Sequence, residues 1–152
     1  DRRAPPVSRI HAPARPDRDG SLMELVIDTS AIIAVLTADQ ARDRIIARTQ
    51  GTELLAPGSV HWEVGNALSA LLKRRKLKLA EVHAVLAAYA AIPIRLVEVE
   101  LQAALELGDR LGLYAYDAFL MTCARTHGAP LLTLDPRLGR VAGEAGVKVL
   151  EI

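Results

Sequence analysis

The chain has 152 residues, enough for one domain with its own hydrophobic core and too few to expect two. About half are apolar (51%), yet no run approaches the roughly 18 uninterrupted apolar positions of a membrane span, and a single cysteine, Cys123, excludes a disulfide framework or a thiolate metal cage. The net charge of +1 joins an arginine-rich start to a nearly neutral remainder, so bulk charge points to no polyanion, and 3% aromatic residues argue against a platform that stacks bases.

Residues 1–22 carry five arginines and four of the eight prolines with almost no large apolar side chain, so they read as a disordered arm or a leader outside the fold. No apolar signal-peptide stretch opens the chain, and a reducing cytoplasm suits the lone thiol. Met23 begins the structured domain, residues 23–152. From there short β-rich apolar runs alternate with longer helical periods, the sign of βα units and a mainly parallel sheet. Strands are expected at Leu25–Asp28, Glu53–Ala56, Arg95–Val97, Pro130–Leu134 and Lys148–Glu151. Thr29 or Ser30 can cap a helix through Leu36, and Asp39 the next through Thr49, which Gly51 stops. After Pro57-Gly58-Ser59, the apolar residues Val60, Val64, Ala67, Leu68, Leu71 and Leu72 recur at helical spacing. A basic run, Lys73, Arg74, Arg75, Lys76 and Lys78, leads into a second helix from about Leu79 to Ala90. Further helices are expected over Glu100–Leu111 and Tyr116–His127, the latter ended by Gly128 with Pro130 beyond.

Four acids stand out. Asp28 ends the apolar strand Val26-Ile27-Asp28, so its carboxylate emerges at the carboxyl edge of the sheet, where open α/β sheets place their ligands; a plain turn or cap residue reads equally well there. Asp135 repeats the arrangement after Leu131-Leu132-Thr133-Leu134, and its plainer reading is an N-cap before Pro136. Asp117 opens an apolar helix whose positive end favours its ionised form. Glu63 lies beside an apolar stripe inside a helix, where a carboxylate is partly desolvated unless it finds a partner or reaches water. Thr29, Ser30, Asn66 and Thr133 are placed to support these acids. Four carboxylates converging on one edge repel and raise one another's pKa unless a cation neutralises them. An all-oxygen set selects a hard ion such as Mg²⁺, whose remaining positions suit waters and phosphate oxygens, which is the chemistry of a phosphodiesterase. The basic run is either a solvated helix end or a track for RNA phosphates.

Taken together, Val26-Ile27-Asp28-Thr29-Ser30, Trp62-Glu63-Val64-Gly65-Asn66, Tyr116-Asp117-Ala118-Phe119-Leu120 and Leu132-Thr133-Leu134-Asp135 resemble the PIN domain, and within it VapC-type toxins. The resemblance implies a three-layer α/β/α sandwich around a mainly parallel sheet of strand order 3-2-1-4-5. It also implies Mg²⁺- or Mn²⁺-dependent hydrolysis of RNA, inhibition by a small VapB-like antitoxin, and a homodimer. By motif, Asp28, Glu63 and Asp117 match the family's metal-binding acids, and Asp135 its more variable fourth. A PIN-like scaffold that binds RNA or protein without cleaving is the alternative; its sequence sign is a lost acid, and none is lost in this chain. An aspartyl-phosphate phosphatase or receiver needs a paired acid beside Asp28, which Asp-Thr-Ser does not supply.

Overall fold

In the computed structural model, residues 20–152 are described, so most of the expected arm at residues 1–22 lies outside the described residues. The first strand, β1 (Met23–Ile27), alternates its side chains so completely that Leu25 and Ile27 enter one core while Val26 enters another. Burial on both faces explains why its sequence reads as a continuous apolar run. The chain then forms α1 (Thr29–Leu36), α2 (Arg42–Thr49), β2 (Thr52–Pro57), α3 (Ser59–Lys73), α4 (Leu79–Ala90), β3 (Ile94–Val97), α5 (Leu101–Leu111), α6 (Ala115–His127), β4 (Leu131–Leu132) and α7 (Pro136–Glu144).

All strand pairings are parallel, in the order β3-β2-β1-β4. The sheet therefore has four strands rather than the five expected. The segment meant for the fifth, Lys148–Glu151, lies against β4 in its expected place but is reduced to a single bridge, Leu131 to Val149, framed by two 2.8 Å backbone bonds. A partner strand of only two residues gives it nothing longer to pair with.

One core packs α1, α2 and α3 on the sheet through Ile32, Ile45, Val60, Val64 and Leu68. The other packs α6 and α7 on the opposite face through Leu120, Met121, Cys123, Leu138 and Ala142, with Leu107 of α5 joining them. The expected stripe on α3 is thus buried at its three central valine and leucine positions. By contrast α4, though strongly apolar in sequence, has no buried residue.

Close approach fixes the placement of α6. A Cβ on Gly108 would lie 3.1 Å from the Ala118 methyl and 3.3 Å from the Leu113 carbonyl, so α5 meets the first turn of α6 closely enough that a side chain would press its neighbours apart by a few tenths of an ångström. The sequence of α6 stops where Gly128 takes a left-handed conformation, φ 58°, as expected for a glycine helix stop.

Candidate metal centre

Parallel strands send every crossover helix away from the same edge, so helix N-termini gather at the carboxyl edge of the sheet. Each of the four acids sits at such an end: Asp28 is the N-cap of α1, Glu63 lies in the second turn of α3, Asp117 in the first turn of α6, and Asp135 is the N-cap of α7. The positive ends of these helices favour carboxylates there. Between β1 and β4 the strand order reverses direction, and such a switch point opens the crevice in which doubly wound sheets bind ligands.

Asp28 is buried, with 7% of its surface exposed. Pairing of Ile27 with Leu132 carries Thr133 to its side, and the Asp28 amide donates to the Leu132 carbonyl at 2.9 Å. One carboxylate oxygen, Oδ2, accepts the hydroxyls of Ser30 at 2.9 Å and Thr133 at 2.7 Å. Those hydroxyls are oriented in turn by the β4–α7 loop, because Leu134 N–H donates to Ser30 Oγ at 3.0 Å and Asp135 N–H to Thr133 Oγ1 at 3.1 Å. Both hydroxyl protons are therefore directed at Asp28, and its Oδ1 takes no hydrogen bond from the described residues. Asp135 uses Oδ1 to cap α7, accepting from Arg137 N–H at 2.8 Å and Leu138 N–H at 3.3 Å. Its plainer reading as a helix cap is thus fulfilled, with Oδ2 left over.

Glu63 is half-buried, and its carboxyl is pushed up from 4.5 to about 7, first by burial and then by the charge of Asp28, with a smaller contribution from Asp117. Asp117 is raised as well, by burial and then by Asp28 and Asp135, against a lowering effect of the Arg137 guanidinium. Asp28, Glu63 and Asp117 thus act on one another electrostatically, and Asp135 acts on Asp117. No described cation forms an ion pair with any of them. The opposite edge of the sheet differs: there Arg95 bridges Glu24 and Glu53 at 2.7 Å each, and His127 meets Glu24 at 3.2 Å. Acids at the amino edge are bridged by side chains, while among the described residues those at the carboxyl edge make no ion pair and only Asp117 feels a nearby cation, Arg137.

Of the expected supporting residues, Ser30 and Thr133 hold Asp28. Thr29 does not; its hydroxyl is buried without a partner. Asn66 is exposed and makes no hydrogen bond to Glu63, whose partner is Ser59 at 3.4 Å, one turn earlier rather than one turn later. Arg137 was not expected at the centre, although its position just after Asp135-Pro136 places it on the turn that carries Asp135. The basic residues Lys73, Arg74, Arg75, Lys76 and Lys78 are exposed at the far end of α3, about 15 Å along the helix from Glu63. Cys123 is buried and its thiol is pushed up to about 11, chiefly by burial, which leaves it inert.

Among the described residues, no three acidic, imidazole or thiol groups stand close enough together to ligate one ion directly. The donor set fits a hard ion that keeps several waters and takes few carboxylates directly, and it does not fit a closed protein cage.

The family model for the PIN domain matches residues 25–144. The chain belongs to the PIN domain family. Its PIN fold is similar to that of PAE2754 from Pyrobaculum aerophilum, with TM-score 0.62 and 23% identity over 78% of this chain and 86% of that one. It is also similar to VapC20 of Mycobacterium tuberculosis, a toxin that cleaves the sarcin-ricin loop, with TM-score 0.59 and 17% identity over 84% and 99% of the two chains. A third likeness is to a chain of VapBC2 from Rickettsia felis, solved on a DNA fragment from its promoter, with TM-score 0.59 and 15% identity over 85% and 98%. No curated protein sequence matches this PIN chain.

Proposed function

We propose that this PIN domain is a metal-dependent endoribonuclease of the VapC type, the toxin of a toxin–antitoxin pair. The observation that carries the reading is the set of four acids at four helix N-termini, electrostatically coupled and, among the described residues, without an ion pair to any cationic side chain. Asp28, Glu63 and Asp117 would hold hydrated Mg²⁺ or Mn²⁺, in part through the ion's waters, with Asp135 beside them. When bound, the ion lowers the pKa of an attacking water and offsets charge on the phosphate. Ser30 and Thr133 hold Asp28 through Oδ2, which would leave Oδ1 for the ion, and Ser59 orients Glu63. The substrate of this reading is RNA.

An antitoxin resembling VapB finds support in α4 and its surroundings. Trp62 is 74% exposed and Leu79 78%, and a cavity of about 360 Å³ opens between Leu86, Tyr89, Ile92 and Leu96, which suits the apolar face of a partner helix. An arginine from that partner would pair with the unneutralised acids. A homodimer in the cytoplasm completes the reading; among the described residues no helix is long and apolar enough to cross a membrane.

The open spacing of the acids favours a second reading, a PIN scaffold that binds RNA without cutting it. Sequencing the ends of RNA treated with purified protein separates the two. Cleavage is expected with Mg²⁺ or Mn²⁺, is lost in chelator, and falls by at least about 100-fold in Asp117→Asn. Undiminished cleavage by that variant overturns the assignment, and none by the unsubstituted protein with either metal favours the scaffold.

A further inference from the structure

A cavity of about 330 Å³ lies at the carboxyl ends of β2 and β3, walled by Pro57, Ser59, Val97, Glu98, Leu101 and Phe119. It shares residues with the acidic centre on two sides. Ser59 bonds the Glu63 carboxylate, and Phe119 follows Asp117 by two positions in the first turns of α6. Its walls are mainly apolar, with a half-buried ring whose edge-to-face neighbour is Tyr116, centroids 6.0 Å apart at 74°. Such walls suit a flat heterocycle.

Polar groups at this cavity are few and of two kinds. Glu98 is exposed and makes no hydrogen bond or ion pair with the described residues, so both carboxylate oxygens can accept. In the same lining α3 begins at Gly58 and Ser59 with no side chain capping its first amides, which leaves donors there. Two adjacent acceptors and a donor lining one cavity suit a ligand that presents two adjacent N–H groups beside a carbonyl oxygen. Among the four RNA bases only guanine does so, through N1–H, the N2 amino group and O6 on its Watson–Crick edge. Uracil and adenine each offer a single N–H group there, and cytosine only its N4 amino group. That edge is accessible when the base is unpaired.

We propose that this cavity is a guanine-recognition pocket, receiving an unpaired guanine adjacent to the phosphate at the acidic centre; its place beside the scissile bond rests on the nuclease reading. Glu98 takes N1–H and the N2 amino group in a bidentate, charge-assisted pair, and Phe119 and Val97 cover the ring. A single pocket of this kind is compatible with a chain poor in aromatic residues, because it reads one base and needs no stacking platform.

Phe119 is the only phenylalanine in the chain, so phenylalanine-selective isotope labelling of the full protein gives one ring to follow by NMR. Titration with free nucleosides needs neither metal nor cleavage. Guanosine is expected to move the Phe119 signals saturably, and inosine, which lacks the N2 amino group, to bind several-fold more weakly. Adenosine, cytidine and uridine should bind at least tenfold more weakly than guanosine. Glu98→Gln should weaken guanosine about tenfold through loss of the charged pair, with the uridine titration and circular dichroism unchanged. Equal responses to all nucleosides, no response, or unaltered guanosine affinity in Glu98→Gln each overturn the proposal. Cleavage assays run alongside separate the two readings. RNA cleavage without guanosine binding removes the pocket and leaves the nuclease, whereas guanosine binding without cleavage supports the pocket and removes the nuclease.

Discussion

Asp28 shows how a buried carboxylate can be kept without a cation partner. Its Oδ2 accepts two hydroxyls that are themselves held by backbone amides, so the charge meets dipoles fixed by the fold. An asparagine oxygen can accept the same two bonds, whereas alanine orphans both hydroxyls. Asp28→Asn is therefore expected to keep the stability of the parent, or exceed it in chelator through relief of repulsion. Asp28→Ala should lose about 1–3 kcal/mol in urea unfolding, and both should lose cleavage. Equal stability of the two variants would mean that the hydroxyls do not depend on the carboxylate. Glu63 adds a pH dependence. In the folded chain it holds its proton to about pH 7, while in the unfolded chain it releases it near its ordinary value of 4.5. Between those limits the folded state binds more protons, so stability falls as pH rises through the window. Thermal melting in chelator across that range should show the decline, and Glu63→Gln should flatten it; an unchanged slope in the variant assigns the decline to another group.

At the scale of elements, what could be read in advance was what is local. An apolar strand closed by aspartate announces its own edge, and both Asp28 and Asp135 lie where their motifs placed them. Thr133 was legible for the same reason, since adjacent parallel strands bring it beside Asp28. Helical spacing alone does not choose between neighbours one turn before and one turn after, which is why Asn66 was expected at Glu63 and Ser59 is found there. The fifth strand failed because strand formation depends on the partner's length, and β4 is short. The contact between α5 and α6 was hidden too, as Gly108 sits inside a helical pattern with no turn to explain it. Its role is steric, and it sets the turn that bears Asp117. Gly108→Ala should gain helix propensity yet destabilise by about 1–3 kcal/mol from overpacking, and should reduce cleavage. A stabilised, fully active variant would show that the two helices have room to part.

For the molecule as a whole, charge is distributed by edge. Acids at the amino edge are bridged by Arg95 and His127, those at the carboxyl edge form no ion pair among the described residues, and the basic run stands apart at the far end of α3. If RNA passes from the acidic centre to that run, only strands longer than about 15 Å engage it. Neutralising Arg74, Arg75 and Lys76 together should then lower the slope of log affinity against log salt by about 2 for a long single strand and leave a dinucleotide's binding unchanged. An unaltered slope returns the run to a solvated helix end.

The hydrogen bonds at Asp28 and Asp135 also bear on how such a chain can diverge. Asparagine caps a helix as well as aspartate does, so the amides of α7 would remain satisfied by Asp135→Asn, just as the hydroxyls beside Asp28 would by its own amide. Each codon change removes one negative charge from the centre and leaves the scaffold standing. A lineage carrying this fold can thus pass from a cutting to a silent form in one step without crossing an unfolded intermediate, and the silent form keeps its apolar α4 face and its guanine pocket available for selection as a binder.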